Sequence, residues 1–186
     1  MSIPVHRQAG YTIQEWKTWD GRWELIDGVA YDMTPSPSTM HQRISSDLLG
    51  AFWEAIKAGK REGTLGSECE VFAAPLDVCL GESVVNPDLL VVCDSEKIAN
   101  HGIVGAPNLV IEICEERTSI KDLMRKKWLY EAAGVPEYLV VAPDVQLSVL
   151  YHLEKGRYVE ASQVEWGEEV AVLAGRVKVK IGCQAS

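Results

Sequence analysis

Three side chains in this sequence have the types and settings for joint chemistry. Asp88 stands beside a proline at the head of the apolar run Asn86-Pro87-Asp88-Leu89-Leu90-Val91-Val92. Glu112 interrupts a second apolar run, Leu109-Val110-Ile111-Glu112-Ile113, and Lys126 follows in Asp122-Leu123-Met124-Arg125-Lys126-Lys127. An ionised carboxylate in a buried strand is costly unless it is paired or bound to a cation. Two of them on adjacent strands would converge on one hard divalent ion. Mg²⁺ suits such a site, because it takes oxygen ligands, keeps several waters and needs only one or two carboxylates beside a phosphate. Asp122, Lys126 and Tyr130 are spaced by four and share one helix face. A lysine there could reach a phosphate held at the end of the Glu112 strand. Each residue also has a plainer reading. Asp88 fits a turn, Glu112 could pair with an arginine, and Asp122 with Lys126 could form a surface ion pair of little energetic value. On spacing alone, the surface pair is the preferred reading of the helix.

The elements that must position these groups are signalled locally. Thr12 and Glu15 form a capping box that opens a first helix. Residues 23–33 read as a hairpin turning at Asp27-Gly28, a dipeptide suited to positive φ. The prolines of Thr34-Pro35-Ser36-Pro37-Ser38 exclude a regular element. From about Ser38 to Ala58, Ile44, Leu48, Phe52, Ala55 and Ile56 recur at helical spacing, with Gly59 placed to end the helix. Two short strands broken at Ala74-Pro75 are expected over 68–80, one strand over 84–94, and a strand buried on both faces over 108–114. A second capping box, Ser119 with Asp122, opens a helix that runs to Ala133 and stops at Gly134 and Pro136. A strand over 137–143, a hairpin turning at Glu154-Lys155-Gly156, and a β-rich tail follow. This order implies an α/β or α+β fold with a mixed sheet.

Composition sets the outer bounds. At 186 residues, with 47% hydrophobic and 24% charged, the chain has the material for one globular domain, 1–186. Eighteen basic against 27 acidic residues leave a net charge of −9. That balance disfavours a protein that coats nucleic acid by electrostatics alone. It is compatible with a local acidic site filled by a divalent ion, which reverses the local field. Residues 1–10 lack the apolar core of a signal peptide, so no targeting segment is expected, and no apolar run approaches the ~20 residues of a membrane span. The five cysteines are scattered, and His6, His41, His101 and His152 lack metal-ligand spacing. A zinc site is therefore not expected, and a reducing cytoplasm is the expected compartment. The six tryptophans are scattered too, and most read as core or interface anchors.

A proline-aspartate, a glutamate in a later strand and then a lysine resemble the signature of the PD-(D/E)XK nuclease superfamily. The ordered blocks over 23–28, 36–44, 74–78, 86–92, 105–113 and 122–141 are more specific. They resemble the Uma-two-like family of proposed restriction endonucleases, long classed as a domain of unknown function. The likeness covers about residues 12–158, leaving a β-rich tail over 159–186. It implies a restriction-endonuclease-like mixed central sheet flanked by helices, with extra β-hairpins. It also implies hydrolysis of phosphodiester bonds in DNA with Mg²⁺, or Mn²⁺ as substitute. Asp88 and Glu112 would be metal ligands with the Ile113 carbonyl as a third, and Lys126 would complete the catalytic set. Cys114 stands where the superfamily has its lysine, and Lys126 on the following helix matches the branches in which that lysine has moved. Lys127 projects about 100° away around the helix. Glu24, His41 and Asp77 fall in family-like blocks as accessory residues of the same pocket.

One departure bears on activity. The family's segment after the glutamate is rich in Ser and Pro, whereas this chain reads Cys114-Glu115-Glu116-Arg117-Thr118. Extra carboxylates there would repel a phosphate. They motivate an alternative: a nuclease-fold binding or assembly module that does not cleave. Its basic clusters would be Arg125-Lys126-Lys127 and Lys57, Lys60 and Arg61. A cysteine nucleophile at Cys114 has no histidine placed by sequence to activate it. A homodimer is compatible with two-strand cutting, with an edge strand of the C-terminal hairpin as candidate interface.

Overall fold

In the computed structural model, which describes residues 10–115 and 120–182, turn and cap chemistry marks out most elements. Helix α1 (Ile13–Trp16) carries the expected box, with Thr12 and Glu15 exchanging side-chain and backbone bonds. Strands β1 (Trp23–Ile26) and β2 (Val29–Asp32) form the hairpin, and Asp27 and Gly28 adopt φ of 50° and 76°. Helix α2 (Thr39–Glu62) is capped by the Ser38 hydroxyl. It does not stop at Gly59. A Cβ at that buried position would lie 3.0 Å from Leu65 Cγ, so the glycine admits the returning chain, and Gly63 at φ 75° supplies the left-handed cap. One interior glycine costs only ~1 kcal/mol, less than the packing it permits.

Strands β3 (Glu70–Ala73) and β4 (Val78–Leu80) flank the break at Ala74-Pro75. The single strand expected over 84–94 is in fact two, β5 (Ser83–Val85) and β6 (Leu89–Val92), which belong to different sheets. Pro87 has no ladder donor, so the chain changes sheets at Asn86-Pro87-Asp88. A small pair follows, β7 (Ile98–Ala99) and β8 (Gly102–Val104), then β9 (Leu109–Ile113). Helix α3 (Ile120–Ala133) ends at Gly134 with φ 79°. The Ser119 half of its capping box lies outside the described residues, as do Glu116, Arg117 and Thr118. Strands β10 (Glu137–Ala142), β11 (Leu147–Glu154), β12 (Arg157–Glu165), β13 (Glu169–Val172) and β14 (Val177–Lys180) complete the chain.

Two six-stranded mixed sheets result, ordered β2-β1-β5-β4-β8-β7 and β12-β11-β10-β9-β6-β3, with β13-β14 as a separate pair. In the second sheet only β9 and β10 run parallel, linked by α3, and β12 is an edge. Side-chain alternation divides its buried strands between two cores. Leu89, Val91, Leu109, Ile111, Leu139 and Val141 face α2 and the β13-β14 pair. Leu90, Val92, Val110 and Tyr138 face α3 and the first sheet, meeting Tyr130, Ile26, Val78 and Ile103.

Two local features depart from expectation or constrain it. Cys69 and Cys93 flank β3 and β6, whose register pairs Glu70 with Val92, and they form a disulfide. The cysteines are thus not all unpaired, because antiparallel pairing joins positions 24 apart in sequence. Gly102 has φ +141°, and a Cβ there would meet the Asp77 carbonyl oxygen at 2.3 Å, the same oxygen that accepts from Ile103 N at 2.8 Å. Gly102→Ala is therefore expected to destabilise the fold by about 2 kcal/mol or more, from backbone strain plus overpacking. A thermal melt within a degree of wild type would contradict this.

Candidate functional site

The register of β6 against β9 brings the two carboxylates together. Leu89 pairs with Ile111 and Leu90 with Val110, so one further step places Asp88 opposite Glu112. By alternation both lie on the face that carries Leu90 and Val110, under α3. Asp88 Oδ2 accepts from the Ile113 amide at 2.7 Å, and His41 Nε2 lies 3.2 Å from Oδ1. Glu112, only 7% exposed, accepts at Oε1 from Lys126 Nζ at 3.0 Å and from the Tyr130 hydroxyl at 2.7 Å. Lys126 Nζ also lies 2.9 Å from Glu24 Oε1, which accepts the Asn86 amide.

The surface pairing of Asp122 with Lys126 does not form. Asp122 bonds Arg125 at 2.7 Å, while Lys126 turns inward to the two glutamates. Helical spacing brings Tyr130 one turn further along the same face, where its ring packs 5.4 Å from Tyr138. Tyr130 shares the Lys126 face in sequence, yet nothing there marks it as a partner of Glu112. Lys127 does point elsewhere, its ammonium 3.5 Å from the Tyr151 ring centroid.

Asp88, Glu112, Lys126, Glu24 and His41 line a cleft of about 700 Å³ together with Ile113, Ser38, Arg22 and Arg125. Ser38 donates to Glu115 at 2.7 Å, so one carboxylate of the acidic segment sits at the cleft wall. Asp77 is not among the lining residues. It bonds Asn86 Nδ2 at 3.0 Å and lines an adjoining cavity, because the chain after Pro75 turns away into β4. Of the three accessory positions, the structure brings Glu24 and His41 into the cleft and leaves Asp77 next to it.

The electrostatics follow from burial and from the charge count. Burial pushes Asp88 up to about 6, against the Ile113 hydrogen bond and Lys126, which oppose the rise. Burial likewise pushes Glu112 up to about 7, with Lys126 opposing and Asp88 and Glu24 adding to it. Desolvation pulls Lys126 down, but Glu112, Glu24 and Asp88 together carry it above its ordinary value, so it stays an ammonium. Three carboxylates, Glu24, Asp88 and Glu112, surround this one ammonium. When all are ionised and His41 is neutral, the cluster carries a surplus of two negative charges. A divalent cation has the charge to cancel it, and the available oxygens are hard donors of the kind Mg²⁺ prefers. Oxygens remain for one: both hydrogen bonds to Glu112 fall on Oε1. Among the described residues no group of three or more His, Cys, Asp or Glu side chains forms a ready-made metal cage. The donor set therefore fits an ion held by two carboxylates plus water or phosphate.

The sequence profile described as "Putative restriction endonuclease", Uma2, matches residues 11–177. The chain belongs to the Uma2 family. A crystal structure described as a "putative nuclease belonging to DUF820", from Anabaena variabilis ATCC 29413, shares the fold at a TM-score of 0.70 and 19% identity. The match spans 90% of this Uma2 chain and 92% of that one. A cryo-electron microscopy structure of a DrdV–DNA complex matches at a TM-score of 0.36 and 15% identity, over 69% of this chain and 12% of that chain. No curated protein matches the sequence. The Uma2 chain thus has a restriction-endonuclease-like α+β fold, and phosphodiester hydrolysis is the chemistry of such a family. No helix among the described residues is long and apolar enough to cross a membrane.

Proposed function

We propose that this Uma2 protein is a divalent-metal-dependent endonuclease that hydrolyses phosphodiester bonds in DNA, with Asp88, Glu112 and Lys126 as its catalytic set. The observation that carries this reading is the juxtaposition of Asp88 and Glu112 across neighbouring strands, with Lys126 Nζ 3.0 Å from Glu112. Asp88 and Glu112 would hold Mg²⁺, or Mn²⁺ in its place, with the Ile113 carbonyl as a further oxygen. When bound, the cation supplies charge neutralisation and Lewis-acid polarisation of the phosphate. The chain's own residues do the rest. Lys126 keeps its proton, so it acts on the phosphate as a fixed positive charge rather than as a base. Glu24 helps to position that ammonium, its Oε1 lying 2.9 Å from Nζ. Tyr130 holds the Glu112 carboxylate by one oxygen, and His41 with the Ile113 amide fixes both oxygens of Asp88.

The test is cleavage of plasmid, single-stranded DNA and RNA with Mg²⁺ or Mn²⁺ by the wild type and by Asp88→Ala. Metal-dependent DNA cleavage that the variant lacks, while still folded, supports the reading. Absence of cleavage by the wild type on every substrate overturns it. A second reading, a binding or assembly module on the same fold, is favoured by Glu115 at the cleft wall and by Cys114 at the superfamily's lysine position. Calorimetric titration separates them: Mn²⁺ binding lost in Glu112→Ala marks a live site, and no binding at all marks the module.

Cation binding should also release protons. With Asp88 raised to about 6 and Glu112 to about 7, the metal-free pair retains a proton near pH 6. A bound cation requires both carboxylates ionised. Apparent Mg²⁺ affinity should therefore rise from pH 5.5 to pH 8. Titrations at pH 6 in two buffers of different ionisation enthalpy should show a proton leaving. Equal heats in both buffers would contradict this assignment.

A further inference from the structure

Three of the scattered tryptophans come together beside the cleft. Trp16, Trp19 and Trp23 line a second cavity of about 390 Å³ with Lys17, Arg22 and Asp77. That volume is within the ~300–1,000 Å³ usual for small-ligand pockets. Arg22, Met33, Pro75 and Asn86 line this cavity and the cleft alike, so the two adjoin. The aromatic walls are held in place. Trp16 Nε1 donates to the Trp23 carbonyl at 2.8 Å, and Trp23 Nε1 donates to the Asp20 carbonyl at 2.9 Å. Trp19 packs edge-on to Tyr11 at 5.0 Å and to Trp23 at 6.2 Å. All three indoles are half-buried. With the N–H groups of Trp16 and Trp23 satisfied internally, those two residues offer an occupant aromatic surface and no indole donor. The polar groups are of two kinds. Asp77 gives one oxygen to Asn86 Nδ2 at 3.0 Å and keeps the other as an acceptor, while Lys17 and Arg22 are exposed cations.

An apolar peptide would use the rings but leave an acceptor and two cations without a purpose. A nucleotide uses all three: a flat base to stack, an amino group to donate to a carboxylate, and a phosphate for the cations. We infer that this cavity receives an unpaired nucleobase carrying an exocyclic amino group, next to the scissile phosphate on the same strand. Lys17 and Arg22 then contact its backbone phosphate. The inference rests on the nuclease reading above and narrows the substrate class to DNA that is single-stranded or opened at the cut. Stacking on fixed aromatic side chains is the usual means of gripping unpaired bases. An acceptor at the pocket wall favours cytosine and adenine over thymine, which presents an acceptor at the corresponding edge.

The test uses the full chain in EDTA, where binding is read without cleavage. Pentadeoxycytidylate, pentathymidylate and a blunt duplex are titrated against tryptophan fluorescence. Pentadeoxycytidylate should quench the emission and bind at least tenfold tighter than pentathymidylate. Asp77→Asn should narrow that ratio, and Lys17→Glu, at an exposed position that leaves folding intact, should weaken both single strands at least fivefold. With metal added, the same two variants should raise KM on single-stranded DNA and leave kcat close to wild type. Equal affinity for the two oligonucleotides, absence of quenching, or tighter binding of the duplex overturns the base pocket. Cleavage by the wild type alongside any of those results leaves the nuclease reading standing. Selective quenching without any cleavage supports the pocket and sinks the nuclease reading instead.

Discussion

Lys126→Met should abolish measurable cleavage, lowering kcat by ~10²–10³-fold or more, the usual effect of removing one electrostatic stabiliser of a transition state. The same change should destabilise the metal-free protein, with a size that depends on pH. Lys126 is within hydrogen-bond distance of Glu112 and Glu24, which are 7% and 4% exposed. Removing one partner of a buried ion pair typically costs ~3–5 kcal/mol, because the remaining charge is left without compensation. The carboxylates can relieve that cost by taking up protons. The penalty should accordingly be largest at pH 8 and shrink towards pH 5, as read by urea unfolding in EDTA. A variant that cleaves at the wild-type rate would remove Lys126 from the chemistry. A penalty independent of pH would mean that the ammonium matters only as packing.

Glu112→Gln should separate stability from function in the opposite sense. The amide keeps an oxygen for the Tyr130 hydroxyl and for Lys126, while one of three crowded negative charges disappears. In wild type the folded protein holds the Glu112 proton up to about pH 7, whereas an unfolded glutamic acid loses it near its ordinary 4.5. Between those values the folded state binds more protons, so this group's contribution to stability falls as pH rises and is lost by about pH 7. At pH 8 in EDTA, Glu112→Gln should therefore be the more stable protein, by about 1–3 kcal/mol. Its stability should also vary less between pH 5 and pH 8. Adding saturating Mg²⁺ should reverse the ranking, since a cation that binds only the native wild type stabilises it by mass action. Cleavage by the variant should fall at least ~10²-fold, in line with the loss of one electrostatic group at the reacting centre. If denaturation curves in EDTA instead place the variant below wild type at pH 8, the crowding of carboxylates has been misjudged.

Much of this arrangement is legible in the sequence where a residue is out of character with its neighbours. Glu112 inside Leu-Val-Ile-Glu-Ile and Asp88 ahead of Leu-Leu-Val-Val stand out because burial makes a lone carboxylate expensive. What spacing does not carry is which partner a side chain chooses across the fold. Asp122 and Lys126 are well placed for each other on one helix, yet Arg125 is a better-oriented partner for Asp122, and two glutamates outcompete it for Lys126. Gly59 reads as a helix stop, but its role is to admit Leu65, a contact made only once the chain has turned back. The switch of sheets at Asn86-Pro87-Asp88 is hidden, because the aliphatic residues on both sides of Pro87 read as one strand over 84–94. That Asp77 would consequently face a neighbouring cavity is a matter of tertiary geometry. The Cys69–Cys93 pairing likewise depends on β3–β6 register and has no local sign.

The β13-β14 pair is tied down by Glu137, a buried carboxylate on β10 that accepts the Leu173 and Ala174 amides at 2.6 and 2.7 Å. Both of those residues have positive φ, so their amides point the same way into one acceptor. Val170, Val172, Val177 and Val179 then close the side of the sheet opposite Glu112. The last segment of the chain is thus a lid on the hydrophobic reverse of the strands that carry Glu112 and its neighbours. A shortened version ending after β12 would uncover aliphatic surface rather than shed an appendage, and a soluble, well-behaved fragment should include everything through Lys180.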